Sequence, residues 1–334
     1  MKLQKFKIKN KTFTSYRNVL IIGEIGSNHD GNFQKLKNLV LNAKKAGCDA
    51  VKFQLFKSDM LISKKHPAQT ILKKNELKIT WLKKIKKLCV KNNILFICSP
   101  FYLEAVDELK KIGCDGLKVA SPEIKNIPLL KKIKKSNLPV IISTGDSNYQ
   151  IIKRALTVFK GCKNENIAIL HCISQYPAKE RDINLNNIIY LKEKFKINIG
   201  FSDHTLGSDA SMMAVGMGVN IIEKHITLNK KDKGPDHAIS MEITKLNNLI
   251  KKIRNFSTMY GKLAKTRYKF ENTVYINAFT IKGQKKGSRI NLKNIICKRD
   301  FSDGIDAKDL SKIKKRILKK DVSDDHPLKW SDLK

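Results

Sequence analysis

No apolar run in the sequence approaches the roughly 20 residues that span a bilayer, which excludes a helical membrane protein. The opening segment, residues 1–9, is charged throughout and lacks an apolar signal core, so the expected location is cytoplasmic. There is no Cys-x-x-Cys pair. The cysteines, at 48, 89, 98, 114, 162, 172 and 297, are scattered and odd in number, which argues for reduced thiols over disulfides or a thiolate metal site. A Gly-x-Gly-x-x-Gly turn is also missing: Gly23-Glu24-Ile25-Gly26 runs into Ser27-Asn28-His29, unlike the dinucleotide-binding turn of an open doubly wound sheet. Acidic residues are few, 30 against 67 lysines and arginines, leaving a formal charge of +37.

That charge admits two readings, a nucleic-acid surface or a lysine-rich solvated exterior. Nucleic-acid binders gather their cations on one face, often with aromatics between them. Here pairs such as Lys83-Lys84, Lys86-Lys87, Lys131-Lys132 and Lys134-Lys135 recur in nearly every amphipathic segment, beside apolar residues at helical spacing such as Leu82, Ile85 and Leu88. Solvated helix faces account for the pattern, so neither a nucleic-acid nor a membrane partner is expected. The positive field suits an anionic substrate.

Short β-branched runs at 19–24, 50–54, 94–99, 116–120, 139–144, 167–171, 198–202 and 219–225 alternate with helical patterns at 33–46, 77–91, 102–112, 127–136, 149–159, 185–195, 208–217 and 242–260. Eight such units predict an α/β fold, a (β/α)₈ TIM barrel over 1–260, rather than an open sheet. Residues 261–271 are basic and aperiodic and read as a linker. Residues 272–334, with short alternating runs at 274–279 and 289–297, predict a small β-rich module.

A barrel's reacting groups stand at the carboxyl ends of its strands. These positions supply Glu24, then Lys52 and Gln54 on one face, then Ser99, Lys118, Ser121, Ser143 and Ser202. Two ammonium groups and several hydroxyls in one mouth suit a small phosphorylated carboxylate. Taken singly, each lysine is expected in a salt bridge to a neighbouring carboxylate, and a Schiff-base lysine of the aldolase kind remains open. His204 and His225 end adjacent strands beside Asp203 and Asp236, which points to a divalent metal site with open positions. His171 points to the same mouth or is buried packing; His29 and His237 lie in loops and face substrate or solvent.

Several segments, in order, carry a resemblance: 22–31 (IGEIGSNHDG), 51–54 (VKFQ), 117–123 (LKVASPE), 143–145 (STG), 201–207 (FSDHTLG), 222–225 (IEKH) and 234–237 (GPDH). Together they resemble the N-acetylneuraminate (sialic acid) synthase family, from about residue 19 to the end. Residues 288–296 and 319–330 resemble the antifreeze-like (SAF) domain that follows the barrel in that family.

The resemblance implies a transferase that condenses phosphoenolpyruvate with an acylamino sugar to a nonulosonic acid. It implies phosphoenolpyruvate on Lys52, Ser99, Lys118, Ser121, Ser143, Ser174 and Ser202, and Mn²⁺ or Mg²⁺ on His204 and His225. It further implies sugar contacts from Gln54, Glu123, Tyr176 and Asp236, and a domain-swapped homodimer in which Arg299 reaches across. Glu24 is the candidate for stabilising charge at C2 or positioning water. Three departures stand out. Residues 60–76 form a short basic loop, as in the spore-coat polysaccharide branch, so sugar contacts are not carried over there. Arg299-Asp300-Phe301-Ser302-Asp303-Gly304 keeps the arginine but loses the usual turn, and the opening basic residue of the SAF domain is missing near 272–275. The acceptor stays open between N-acetylmannosamine and a diacetamido-trideoxy hexose of the legionaminic or pseudaminic kind.

Overall fold

The chain opens with an antiparallel hairpin, β1 (Lys5–Ile8) and β2 (Lys11–Thr14), ahead of any element expected from the sequence. Eight parallel strands follow: β3 (Leu20–Glu24), β4 (Ala50–Leu55), β5 (Leu95–Pro100), β6 (Gly116–Val119), β7 (Val140–Ser143), β8 (Ile167–His171), β9 (Asn198–Asp203) and β10 (Ile221–Thr227). Each pairs with the next, and β10 pairs with both β9 and β3, so the sheet closes into a (β/α)₈ barrel. A two-residue strand, β11 (Met241–Glu242), extends the edge of β10. This computed structural model describes residues 3–261, 264, 268, 274–301 and 303–334. Among the described residues no helix is long and apolar enough to cross a membrane.

The α-helices described between residues 3 and 261 are α1 (Phe33–Ala46), α2 (Ser58–Leu61), α3 (Gln69–Lys74), α4 (Ile79–Lys91), α5 (Leu103–Ile112), α6 (Ile127–Lys135), α7 (Tyr149–Val158), α8 (Asn186–Phe195), α9 (Asp209–Gly216) and α10 (Ile243–Met259). All but α2 and α3 are the expected barrel helices; those two lie within the β4–α4 connection. Local chemistry sets their ends. The Asn32 side chain accepts from Lys35 N at the start of α1, and Gly47, at a φ of 100°, ends it in the left-handed conformation. The apolar stripe of each helix packs on the outward side chains of the strands, in one continuous core that includes Ile21, Val51, Phe96, Leu117, Ile169 and Ile222.

The inward side chains form a second cluster. Leu20, Ile22, Ala50, Leu95, Ile97, Ile141, Ala168, Leu170 and Ile221 fill the amino-terminal half of the barrel, and Phe6, Ile8 and Phe13 of the hairpin cap it from below. Further along seven of the eight strands the inward positions become polar: Glu24, Lys52, Ser99, Lys118, Ser143, Ser202 and Glu223. The barrel is therefore sealed at one end and chemically equipped at the other.

The chain divides into two units, Met1–Gly261 and Lys262–Lys334. The second contains the antiparallel pair β12 (Tyr275–Thr280) and β13 (Ile295–Asp300). Its separate core gathers Ala278, Ile290, Ile305, Ile313, Leu318, Val322, Leu328 and Leu333. Of the expected linker, only Gly261, Ala264 and Tyr268 are among the described residues, and the start of the expected module at 272–273 also lies outside them.

Candidate active site

A groove of about 1030 Å³ is lined by Lys131, Lys134, Lys135, Lys160 and Lys163 over an apolar floor that includes Val140 and Ile167. Those two residues begin β7 and β8, so the groove lies at the stabilising end of the barrel, away from the strand ends where reacting groups stand. The chemistry gathers instead in a cavity of about 260 Å³ at the carboxyl ends of the strands.

Its floor is a buried charge network. Lys52 Nζ lies 2.9 Å from Glu24 Oε2 and 3.7 Å from Glu223 Oε1. Lys118 Nζ donates to Glu223 Oε1 at 3.1 Å, and Ser202 Oγ donates to the same oxygen at 3.1 Å. Gln54 Nε2 donates to Glu24 Oε1 at 2.7 Å. The expected ion-paired state of the lysines is therefore present, and both ammonium groups still line the cavity.

Burial acts to lower Lys52, but the charges of Glu223 and Glu24 outweigh it and hold the ammonium above its usual range. Lys118 goes the other way: its burial dominates, Glu223 offsets it only in part, and the value falls. Glu24 is raised by burial and by Glu223, against the pull of Lys52. Glu223 is pushed up by burial, yet Lys118 and Lys52 bring it down to about 2. Two carboxyl groups around one lysine are thus driven apart, the arrangement that separates a proton holder from a fixed anion.

Ser121, Ser143 and Ser202 line the same cavity. Ser99 does not: it is fully buried beneath the wall, where its Oγ accepts from Lys52 Nζ at 3.5 Å. Ser174 is exposed on the rim, next to Ser121 across Gly145.

His204 and His225 stand together on the wall, ring centroids 5.6 Å apart. His204 Nδ1 donates to the Ile173 carbonyl at 2.7 Å, which turns the lone pair of Nε2 inward. Burial, aided by His225, lowers His204 to about 4. Burial likewise lowers His225, whose Nδ1 is buried without a hydrogen-bond partner among the described residues, 3.9 Å from Asp236 Oδ2. Two neutral imidazoles, one carrying an orphaned nitrogen, with a carboxylate alongside, fit a divalent cation. Asp203, expected beside this pair, faces the other way. The two-residue period of β9 sends it outward, where it meets Lys224 Nζ at 2.8 Å and accepts from Thr205 and Ser211. His171 faces outward for the same reason; it stacks on Phe201, and its Nε2 bonds the Ile183 carbonyl.

Asp236 reaches the cavity because Gly26, at a φ of 53°, leaves room for it, and Ser27 N donates to its Oδ2 at 3.1 Å. Tyr176 covers His204, ring centroids 4.3 Å apart. Glu123 misses the cavity: its carboxylate accepts from Asn126 Nδ2, and Ser121 and Pro122 form the wall there. His29 and His237 are buried and bonded within their loops, His29 to Gly31 N and His237 to Thr227 and Asp30, so neither faces substrate or solvent. Arg299 is exposed on β13 of the second unit, opposite Ile276.

Residues 39–265 match the NeuB family. The chain belongs to the NeuB family. It is 38% identical over 329 residues to the N,N'-diacetyllegionaminic acid synthase of Campylobacter jejuni, covering 92% of this chain and 98% of that protein. It is 35% identical over 255 residues to the N-acetylneuraminate-9-phosphate synthase of Drosophila melanogaster, covering 71% of this chain and 68% of that one. Among solved structures it is similar to the spore coat polysaccharide biosynthesis protein spsE of Bacillus subtilis, with a TM-score of 0.70, 29% identity and 99% of both chains covered. The chain is a NeuB-family sugar-acid synthase.

This NeuB-family site holds residues the sequence did not single out. Glu223 shared a motif with His225, and their two-residue spacing was the signal that both face inward. Phe56, Leu72, Asn75 and Pro235 also line the cavity. Leu72 and Asn75 come from the short basic loop, where α3 turns them to the wall; nothing in the sequence pattern marks that turn.

Proposed function

We propose that this chain condenses phosphoenolpyruvate with an N-acylated amino sugar aldehyde and water, giving a nonulosonic acid and phosphate. One observation carries the reading: Lys52 and Lys118, both buried, share a cavity with three serine hydroxyls and a pair of neutral histidines. The lysines and serines receive the phosphate and carboxylate, which loosens their present pairing with Glu223. His204 and His225 hold Mn²⁺ or Mg²⁺, and such an ion supplies Lewis-acid polarisation of a carbonyl oxygen. In the reaction C3 of the enol phosphate bonds to the aldehyde carbon, and the aldehyde oxygen takes a proton to become a hydroxyl. Water then adds at C2, and phosphate leaves by C–O cleavage. Glu24, its carboxyl held above the usual range, is placed to accept and return a proton during the water step, while Glu223 remains an anion facing the positive charge that develops at C2.

Gln54, Tyr176 and Asp236 contact the sugar. The 38% identity to a diacetyllegionaminic acid synthase favours a diacetamido-trideoxy hexose, with N-acetylmannosamine and a spore-coat sugar as the other candidates. We also assign the second unit as an antifreeze-like (SAF) domain. In this reading the enzyme is a cytoplasmic homodimer, with Arg299 reaching the site of the other copy. The test is phosphate release from phosphoenolpyruvate with Mn²⁺ across these sugars, with products identified by mass. Borohydride trapping in the presence of substrate would instead favour a Schiff base on Lys118.

A further inference from the structure

The central cavity of about 260 Å³ is below the roughly 300–1,000 Å³ typical for one drug-sized ligand, although the proposed reaction brings two substrates together there. A second chamber of about 430 Å³ adjoins it. Asn75 and Pro235 line both spaces and so form the neck between them.

Asn75 follows the last turn of α3, and its side chain is buried, with the residue 4% exposed. Its Nδ2 donates to the Ile71 carbonyl at 3.1 Å, which orients the amide. Oδ1 is then left buried with no hydrogen-bond partner among the described residues. An unpaired buried carbonyl oxygen is costly, and a ligand donor is one way to satisfy it. Around the neck the surface is apolar, with Phe56 and Leu72 on the cavity side and Ile71 and Pro235 on the chamber side. Asp30, the carboxylate of the chamber, is occupied by Lys35 Nζ at 2.5 Å. Lys74 and Lys233 at the chamber are exposed, and solvated lysines select weakly.

We propose that Asn75 is a specificity-determining residue for the sugar. Its Oδ1 accepts a hydrogen bond from an uncharged donor on the part of the acceptor remote from the reacting aldehyde, which passes the neck into the chamber. The assignment rests on the synthase reading above. A second acylamino N–H, its methyl against Ile71 and Pro235, and a hydroxyl both supply this donor. A phosphate offers lone pairs to Oδ1 and Asp30, and is disfavoured there.

The test is steady-state phosphate release with 2,4-diacetamido-2,4,6-trideoxymannose, N-acetylmannosamine and N-acetylmannosamine 6-phosphate, using wild type, Asn75→Leu and Asn75→Ser. Asn75→Leu should raise KM for the preferred uncharged sugar about tenfold. It should leave kcat and KM for phosphoenolpyruvate within about twofold. Asn75→Ser, which keeps an oxygen, should lose less, and it carries the test if the leucine variant does not fold. The uncharged sugar with the larger rise identifies the donor. Three results in a working wild type overturn the assignment alone: an unchanged sugar KM, an equal rise in both substrates' KM, or preference for the 6-phosphate. A wild type that releases no phosphate with any of the sugars overturns the synthase reading as well.

Discussion

Glu24 and Glu223 approach the same ammonium group, Lys52 Nζ, at 2.9 and 3.7 Å, yet their carboxyl groups are driven in opposite directions. Lys118, which forms its direct ion pair with Glu223, supplies the asymmetry. Glu223 is thus a counter-ion of two buried cations, and removing it strands Lys118 and leaves Lys52 paired with Glu24 alone. Glu223→Gln should cost about 3–5 kcal/mol of unfolding free energy, the usual consequence of breaking a buried pair. Urea titration checks this; a loss near zero would mean the lysines are solvated.

Glu24 has the other role. Glu24→Gln keeps the shape and an oxygen for Gln54, but cannot take up a proton. Turnover should fall by about 10²–10⁴, as for loss of a general acid–base group, with KM for phosphoenolpyruvate little changed. Wild-type kcat in the variant would remove Glu24 from the chemistry.

Metal dependence is a separate matter. Excess EDTA should abolish phosphate release and Mn²⁺ should restore it; full activity in EDTA would sink the assignment to His204 and His225. His204→Ala should also abolish turnover. Because it gives up the hydrogen bonds of His204 to the Ile173 carbonyl and to Ser202 Oγ, it should cost only about 2 kcal/mol of stability.

The hairpin cap makes a prediction about stability without chemistry. Phe13 is almost fully buried in the inner cluster with Leu20 and Ile22. Phe13→Ala should cost about 3–5 kcal/mol by the cavity it leaves, while kcat per folded molecule stays the same. Calorimetry alongside initial rates separates the two.

In the second unit, Asp332 is buried between Lys320 and His326, at 2.8 and 2.9 Å. Burial acts to raise its carboxyl, but these partners and the Lys329 amide hold it below the usual value. A lowered folded value means the stabilisation is complete above the unfolded value of about 4 and is lost as pH falls through the folded one. Thermal scans between pH 6 and 3 should show the second unit weakening on acidification in wild type, and much less in Asp332→Asn.

Much of this was legible in the sequence because period and position coincide. All eight barrel strands and their helices lie within about two residues of where the apolar patterns put them. Lys52, Lys118, Ser143, Ser202, His204 and His225 fell on inward positions at strand ends, so topology alone brings them together. The misplacement of Asp203 has its cause in the parity of the pleat. Asp203 and His171 are one residue away from an inward position, and one residue is enough to turn a side chain to the helices. The opening hairpin escaped because residues 5–14 carry lysines at their exposed positions and few apolar ones. Asn75 escaped because its placement depends on how α3 folds back on the cavity, a tertiary fact that a short basic run does not announce.

The alternation along β9 and β10 has a consequence for how such an enzyme can change. The charged floor belongs to strands whose other face is the core, so any insertion or deletion there would exchange reacting groups for packing groups and be lost with the fold. Asn75, Leu72 and Pro235 belong to connections that answer to no such parity. New acceptors can therefore be explored by remodelling two loops, while the groups beneath them stay fixed by the barrel's own register.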